Sequence, residues 1–233
     1  MRLLAIDTSG PVCGTAVMEE EKVLAEMTCQ NHYTHSASLM PMAERSLEMA
    51  GMRLADLDAL AVVTGPGSFT GVRIGVATAK GLAHGSGLPC IPVDALEALA
   101  ESTGMRAEPL LICPLQDARA GQVYGACFYQ GERRTENRAV KLEEFLKAAG
   151  EMWDGICLFT GDGAAVHEAR IREIMGEKAR FPESPFNYLR PSAAGRIAAR
   201  SGESVPYTEL KETYLRPPNA EKNKKLLEAM RHG

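Results

Sequence analysis

The sequence predicts an α/β chain made of two related halves, each a β-β-β-α-β-α unit, and three observations carry that prediction. Strand-like apolar runs alternate with helix-length amphipathic segments along most of the chain. Asp7 and Asp117, each closing the first strand of its half, are 110 positions apart, and the turns at Glu20 and Gln130 repeat that offset. Gly14-Thr15-Ala16-Val17 matches Gly125-Ala126-Cys127-Phe128 with a shift of one. Any one match is common, but agreement in offset and in element order points to a duplication. A chain of 233 residues suits two small domains, divided as 1–104 and 105–233.

The first half opens with strands from Arg2 to Asp7, from Cys13 to Met18 after a Gly10-Pro11 turn, and from Lys22 to Thr28 after a charged Glu19-Glu20-Glu21 turn. A helix from about Ser38 to Gly51 follows, with Pro41 tolerated in its first turn. Ala59 to Thr64 reads as a buried strand that runs into Gly65-Pro66-Gly67-Ser68. A helix from Phe69 to His84, a strand from Cys90 to Val93 and a helix from Ala95 to Ser102 close this half. The second half repeats the order. Its strands run from Leu110 to Leu115, ending at Asp117, and from Gln122 to Tyr129, with a third after the Gln130-Gly131-Glu132 turn. A helix from Leu142 to Ala149, a strand from Ile156 to Thr160 and a helix from Ala164 to Met175 complete it.

Hydrophobic residues make up 45% of the chain and charged residues 24%, enough apolar material for a sizeable core. The formal net charge of −4 gives no overall field that attracts nucleic acid. Six cysteines, none in a C-x-x-C pair, read as reduced thiols rather than a disulfide framework. The opening Leu3-Leu4-Ala5-Ile6 run is too short for the core of a signal peptide. No apolar stretch approaches the roughly 18 residues of a membrane span. These readings predict a cytoplasmic protein with no membrane partner.

The most specific segment is Thr64-Gly65-Pro66-Gly67-Ser68-Phe69-Thr70-Gly71-Val72-Arg73-Ile74-Gly75. It is a strand end, a glycine-rich turn and a helix N-terminus, which Ser68 or Thr70 can cap. Free N–H groups there suit an anion. The segment lacks the Gly-Lys-Ser/Thr of a Walker A loop, and its third glycine is displaced from the dinucleotide fingerprint. A tight turn and a phosphate cradle both remain open.

The helix that follows is apolar over most of its circumference, through Val72, Ile74, Val76, Ala79, Leu82 and Ala83, while Arg73, Lys80 and His84 share one stripe. Such a helix is covered on more than one side. Gly71, Gly75 and Gly81, each costing about 1 kcal/mol of helix propensity, suit the close approach of another backbone. On the preceding helix, Leu39, Ala43 and Leu47 make a core stripe, and Met40, Met42, Met49 and Met52 add adaptable apolar surface. The pair is read as a partner interface made by Leu39, Met40, Met42, Ala43 and Leu47 on the first helix. On the second it uses Gly71, Val72, Arg73, Gly75, Val76, Ala79, Lys80 and Ala83.

The glycine-rich segment resembles the signature of the TsaB (YeaZ-like) family, part of the actin-like ATPase superfamily once grouped with glycoproteases. Leu4-Ala5-Ile6-Asp7-Thr8-Ser9 is similar to that family's start, and His35-Ser36 with Leu39 and Pro41 to its first helix entry. Asp117-Ala118-Arg119 with Val123-Tyr124 resembles the start of its second domain, and Tyr214-Leu215-Arg216 its C-terminal segment. The tail after Asn219 is the least diagnostic part. The resemblance implies two actin-like, ribonuclease H-like domains. It implies a role in placing threonylcarbamoyl on an adenosine next to the anticodon, in tRNAs that read codons starting with A. It implies pairing with the catalytic subunit TsaD, an assembly that includes the ATPase TsaE, a homodimer in isolation, and tRNA contact only through the complex.

The resemblance also implies a partner rather than a catalyst. The catalytic relative carries a metal-binding His-x-x-x-His pair after the corresponding strand. Residues 92–99 contain no histidine here, and Asp94 with Glu97 makes a poor transition-metal site. His32 and His35 form the only other close pair, with no third ligand evident. Ser68 is not in a G-x-S-x-G elbow. In actin-like folds the aspartates that end the first strands, with their adjoining turns, grip phosphate and metal. By that analogy Asp7, Thr8, Ser9, Asp117, Arg119, Gly161 and Gly163 mark a nucleotide cleft. Arg119 stands where a working kinase usually has glycine, and its bulk would crowd a phosphate. No metal and no cofactor are expected, ATP or ADP being the one cleft ligand considered. The alternatives are an active ATP-dependent phosphotransferase or metallopeptidase, and a nucleic-acid module. The latter would rest on Lys211, Arg216, Lys222, Lys224, Lys225 and Arg231, which Glu209, Glu212, Glu221 and Glu228 dilute.

Overall fold

Two sheets with one strand order frame the chain. The computed structural model describes residues 1–31 and 33–216, so His32 and the lysine- and glutamate-rich tail lie outside the described residues. The first sheet comprises β1 (Arg2–Asp7), β2 (Cys13–Glu19), β3 (Lys22–Cys29), β4 (Ala59–Gly65) and β5 (Cys90–Asp94), ordered β3-β2-β1-β4-β5. The second comprises β6 (Leu111–Asp117), β7 (Gln122–Gly125), β8 (Phe128–Tyr129), β9 (Glu132–Arg133), β10 (Arg138–Lys141), β11 (Cys157–Thr160) and β12 (Ala179–Arg180). Its main path is β10-β7-β6-β11-β12, with β8 and β9 branching from β6. In each sheet the first three main strands pair antiparallel, and the last two run parallel to the first.

β1 is central and buried on both faces. Its period-2 alternation sends Leu3 and Ala5 to one core and Leu4 and Ile6 to another. The second of these cores is covered by α1 (His35–Met49) and α2 (Phe69–Ser86). α1 supplies Leu39, Met42, Ala43 and Ser46, spaced at helical intervals, and α2 supplies Val72, Val76, Ala79 and Ala83. The first core lies between the two sheets. There α3 (Ala95–Ser102) packs on β6, while α7 (Pro191–Ser201) packs back on β1 and β2. A third core joins the second sheet to α4 (Leu142–Met152), α5 (Asp162–Val166) and α6 (Glu168–Met175).

The chain after α7 also returns to the first sheet. Val205 exchanges backbone hydrogen bonds of 2.8 and 2.9 Å with Cys90, Leu210 is buried in the core that α1 and α2 cover, and Thr213 N donates to Thr64 O at 2.7 Å. A division at residue 104 thus separates the two sheets, while residues 191–214 pack on the first of them.

Several elements differ from the sequence reading. α1 begins at His35, three residues early, so Pro41 lies in its second turn. Pro41 and Ala37 are both exposed, and the carbonyl left without a helix donor faces water. The strand expected from Gln122 to Tyr129 breaks at Ala126-Cys127, where Cys127 N donates to Thr135 Oγ1 instead of a neighbouring strand. The helix expected from Ala164 to Met175 starts at Asp162 and divides at His167, which leaves helical geometry at φ −108° and ψ 14°.

Candidate functional site

The two sheets present equivalent turns to a common cleft. After β1, Asp7 Oδ1 accepts from Ser9 N at 2.8 Å; after β6, Asp117 Oδ1 accepts from Arg119 N at 2.9 Å. Each aspartate thereby fixes the turn behind its strand. Between them lies a cavity of about 550 Å³ whose walls include Ser9, Ser68, Thr70, Gln116, Asp117 and Arg119. Residues 213–216 run along its rim. Thr213 is bonded to β4, while Arg216 Nη1 donates to Ala118 O at 3.4 Å, so this segment touches both halves. Tyr214 is held by the Arg73 guanidinium, which donates to its hydroxyl at 2.9 Å and stacks over Phe69 at 3.8 Å.

Asp7 lies beneath the cleft and is 2% exposed. Burial pushes its carboxyl up to about 6, against the hydrogen bonds from Ser9 N and the Ser9 hydroxyl and the nearby His35. Burial also holds Asp162 above the ordinary carboxylate range, and the Asp117 charge adds to this. His35 is a structural contact: its Nε2 lies 3.0 Å from Gly10 O and ties the start of α1 to the β1–β2 turn.

Thr8, Gly161 and Gly163, expected to line the cleft, serve its walls instead. Thr8 Oγ1 donates to Gly71 O at 2.7 Å and is buried. A Cβ on Gly163 would stand 2.7 Å from Gln116 C, and one on Gly161, at φ +97°, would strike Leu115 O. In the first half, a Cβ on Gly75 would stand 2.5 Å from Thr8 Oγ1, and one on Gly71 would collide with Thr8 O. Ser68 Oγ accepts from Gly71 N at 3.2 Å and caps α2. The glycine-rich segment is therefore a tight turn that seats α2 on the end of β1. The groups that come close to Gly71 and Gly75 are the chain's own, the Thr8 carbonyl at the first and the Thr8 hydroxyl at the second.

Arg119 adopts φ +67° and Ala120 φ +52°, both in the left-handed region that disfavours side chains. The Arg119 side chain is 90% exposed and reaches Asp117 Oδ2 at 3.5 Å, so it points outward rather than filling the turn.

At the start of α3, Asp94 caps the helix by accepting from Glu97 N at 2.9 Å. Arg133 from the second sheet reaches Asp94 at 3.0 Å and Glu97 at 3.6 Å, and Asn137 also donates to Asp94. The two carboxylates are held in a contact between the halves.

The expected interface divides in two. Leu39, Met42, Ala43, Gly71, Val72, Gly75, Val76, Ala79 and Ala83 are buried against the sheet, because the apolar stripes of α1 and α2 both face it. They cannot touch a second protein while the fold is intact. Met40 and Arg73 are exposed, and Leu47 and Lys80 are half-buried.

Comparison with known proteins places this architecture. A family model described as "TsaD: tRNA N6-adenosine threonylcarbamoyltransferase" matches residues 22–203. The tRNA threonylcarbamoyladenosine biosynthesis protein TsaB of Bacillus subtilis is 35% identical over 95% of this chain and 96% of its own length. The chain belongs to the TsaB family. The TsaB of Escherichia coli is also 35% identical, over 70% of this chain and 72% of its own. Among solved structures, YeaZ from Pseudomonas aeruginosa superposes with a TM-score of 0.74 at 26% identity, covering 92% of this chain and 99% of that one. Component A of the (R)-2-hydroxyglutaryl-CoA dehydratase of Acidaminococcus fermentans shares the fold alone, with a TM-score of 0.53 at 11% identity over 86% of this chain and 98% of that one. The fold is α/β and of the actin-like ATPase type.

In this TsaB-family chain the sequence reading missed Gln116, Asp162 and the 213–216 segment at the cleft. Asp162 has a signal, since it sits between Gly161 and Gly163, which the actin-like analogy places at the cleft. Gly81, on the exposed face of α2, differs from Gly71 and Gly75: a Cβ there would meet nothing within 4 Å.

Proposed function

We propose that this chain is the non-catalytic partner subunit in tRNA threonylcarbamoyladenosine formation, pairing with and activating a TsaD-type catalytic subunit. The observation that carries the reading is the near-full-length match to proteins named for that biosynthesis. The TsaD-type family model supports the choice of partner, since a shared fold suits two subunits that pack side by side. The start of α3 supports the non-catalytic assignment: where the catalytic relative is expected to carry metal-binding histidines, this chain has Asp94 and Glu97 committed to Arg133.

In this reading the pairing face is the outer surface of α1 and α2, centred on Met40, Arg73, Ala77, Lys80 and Gly81. The smallness of Gly81 is not required by its own fold, so an approaching backbone is a reason for it. The same face serves a homodimer when the chain is alone, and TsaE joins the assembly afterwards. The two sheets are copies of one duplicated unit, and the reading assigns no nucleotide to the cleft between them. Arg119, a non-glycine residue in the left-handed turn where a working kinase usually has glycine, favours that assignment over a kinase-like site.

The test is co-purification with TsaD followed by a threonylcarbamoylation assay with and without this chain. Stable pairing and a modification rate that depends on the chain are expected. Turnover by this chain alone, without TsaD, would favour the enzyme alternative.

A further inference from the structure

Residues 213–216 make a strap across the mouth of the cleft. Thr213 N donates to Thr64 O at 2.7 Å at the end of β4, and Arg216 Nη1 donates to Ala118 O at 3.4 Å on the opposite half. Between these ends Tyr214 leans on α2. Its ring lies 5.2 Å from that of Phe69, and its hydroxyl accepts from Arg73 Nε at 2.9 Å. The seat is shaped for the strap, since a Cβ on Gly65, at φ +113°, would stand 2.6 Å from Thr213 O. The bond from Arg73 is the strongest of these ties. It is short and its donor is charged, whereas the Thr213 bond joins neutral groups and the Arg216 bond is long. Arg73 is exposed on the outer face of α2, beside Ala77 and Lys80. No carboxylate lies within ion-pair reach of it among the described residues, and Nε–H is its one guanidinium donor with a protein acceptor there. Its charge rests on a neutral phenol and the face of Phe69.

We propose that a carboxylate of the pairing partner takes Arg73 from Tyr214, so that pairing on α2 releases the strap from the first half. The proposal rests on the pairing face and the TsaD-type partner assigned above, and it names the chemistry which that face recognises. A carboxylate accepts two parallel N–H bonds from a guanidinium and is a stronger acceptor than a phenol. In the side-on fork Nε–H itself serves the carboxylate, so Tyr214 loses its donor. The first half then holds the strap by the Phe69 stack and the neutral contacts of Thr213. An event on the outer face of α2 is thereby felt at the mouth of the cleft, which Tyr214 and Phe69 both line. The coupling is reciprocal by linkage, so whatever loosens the strap favours pairing.

The experiment uses the full chain with a purified TsaD-type subunit. Hydrogen–deuterium exchange is followed in peptides that carry the Thr213 amide, and pairing is read by gel filtration on the same samples. On pairing, these peptides should exchange about tenfold faster than in the chain alone, although the outer turns of α2 become covered. Tyr214→Phe keeps the ring on Phe69 and removes the acceptor, so no bond to Arg73 has to be broken. It should pair about three- to tenfold more tightly than wild type in a calorimetric titration. Arg73→Lys cannot form the fork and should pair about tenfold more weakly. Circular dichroism establishes that each variant is folded. Pairing that leaves the exchange of 213–216 unchanged, or a Tyr214→Phe variant that pairs no more tightly than wild type, would overturn the proposal and leave the pairing face standing. Absence of pairing by the wild type would remove both.

Discussion

Asp7 is a buried carboxylate, 2% exposed. Its carboxyl is raised from an ordinary 3.8 to about 6, so the native state binds a proton over this range that the unfolded chain has released. Stability that this group permits below about pH 4 is therefore lost as pH rises through 6, a total of about 3 kcal/mol. Asp7→Asn keeps an oxygen for Ser9 N and stays neutral. The variant should match wild type near pH 4 and exceed it by about 3 kcal/mol above pH 6, as measured by urea unfolding across that range. A difference that does not change with pH would mean that Asp7 is not the titrating group. Gly71 makes a second case at this scale. A Cβ there collides with the Thr8 carbonyl, so Gly71→Ala should cost about 1–3 kcal/mol, although alanine is the better helix former.

At the scale of elements, α2 decides how partner binding and folding are told apart. Val76 and Ala79 are 1% and 0% exposed, so Val76→Asp or Ala79→Asp buries an unpaired charge and should unfold the chain. Ala77→Glu lies on the outer face and should leave Tm within a degree or two while abolishing pairing on gel filtration and pull-down. α2 was legible in the sequence because its glycine-rich entry and its apolar content are both local signals. What periodicity did not settle was which side of it faces the chain's own sheet. Val72, Val76, Ala79 and Ala83 are as suited to a core as to an interface. α7 was not legible at all. Its buried face is Pro191, Ser192, Ala193, Ala194 and Gly195, small residues with no apolar period, chosen by close packing on β1 and β2. A Cβ on Gly195 would strike Met18 Sδ and stand 3.5 Å from the Ala5 Cβ.

For the molecule as a whole, the halves are joined by more than a linker. α7 and residues 205–214 pack on the first sheet, Arg133 binds Asp94 and Glu97 across the gap, and Arg190 from the second half reaches Glu26 on β3. Calorimetry should therefore show one cooperative transition rather than two. Truncation after Gly202 removes Leu210, whose burial alone contributes about 1.5–3 kcal/mol, and should lower Tm markedly. The paired aspartates and the repeated element order were readable from a single offset of 110 residues. The return of the C-terminal segment was not, since Val205, Leu210 and Thr213 are isolated contacts with no pattern among them. For the cleft, Asp7 and Asp117 could be found from sequence, whereas the place of Tyr214 at its rim is visible only once the chain has folded back.

The claim that this chain supports catalysis by pairing is tested most directly by threonylcarbamoylation with purified TsaD, using wild type and Ala77→Glu in parallel. Wild type is expected to restore modification, while the folded variant neither binds TsaD nor restores it. Full modification with a variant that no longer pairs, or product formed by the wild-type chain with TsaD left out, would contradict the account.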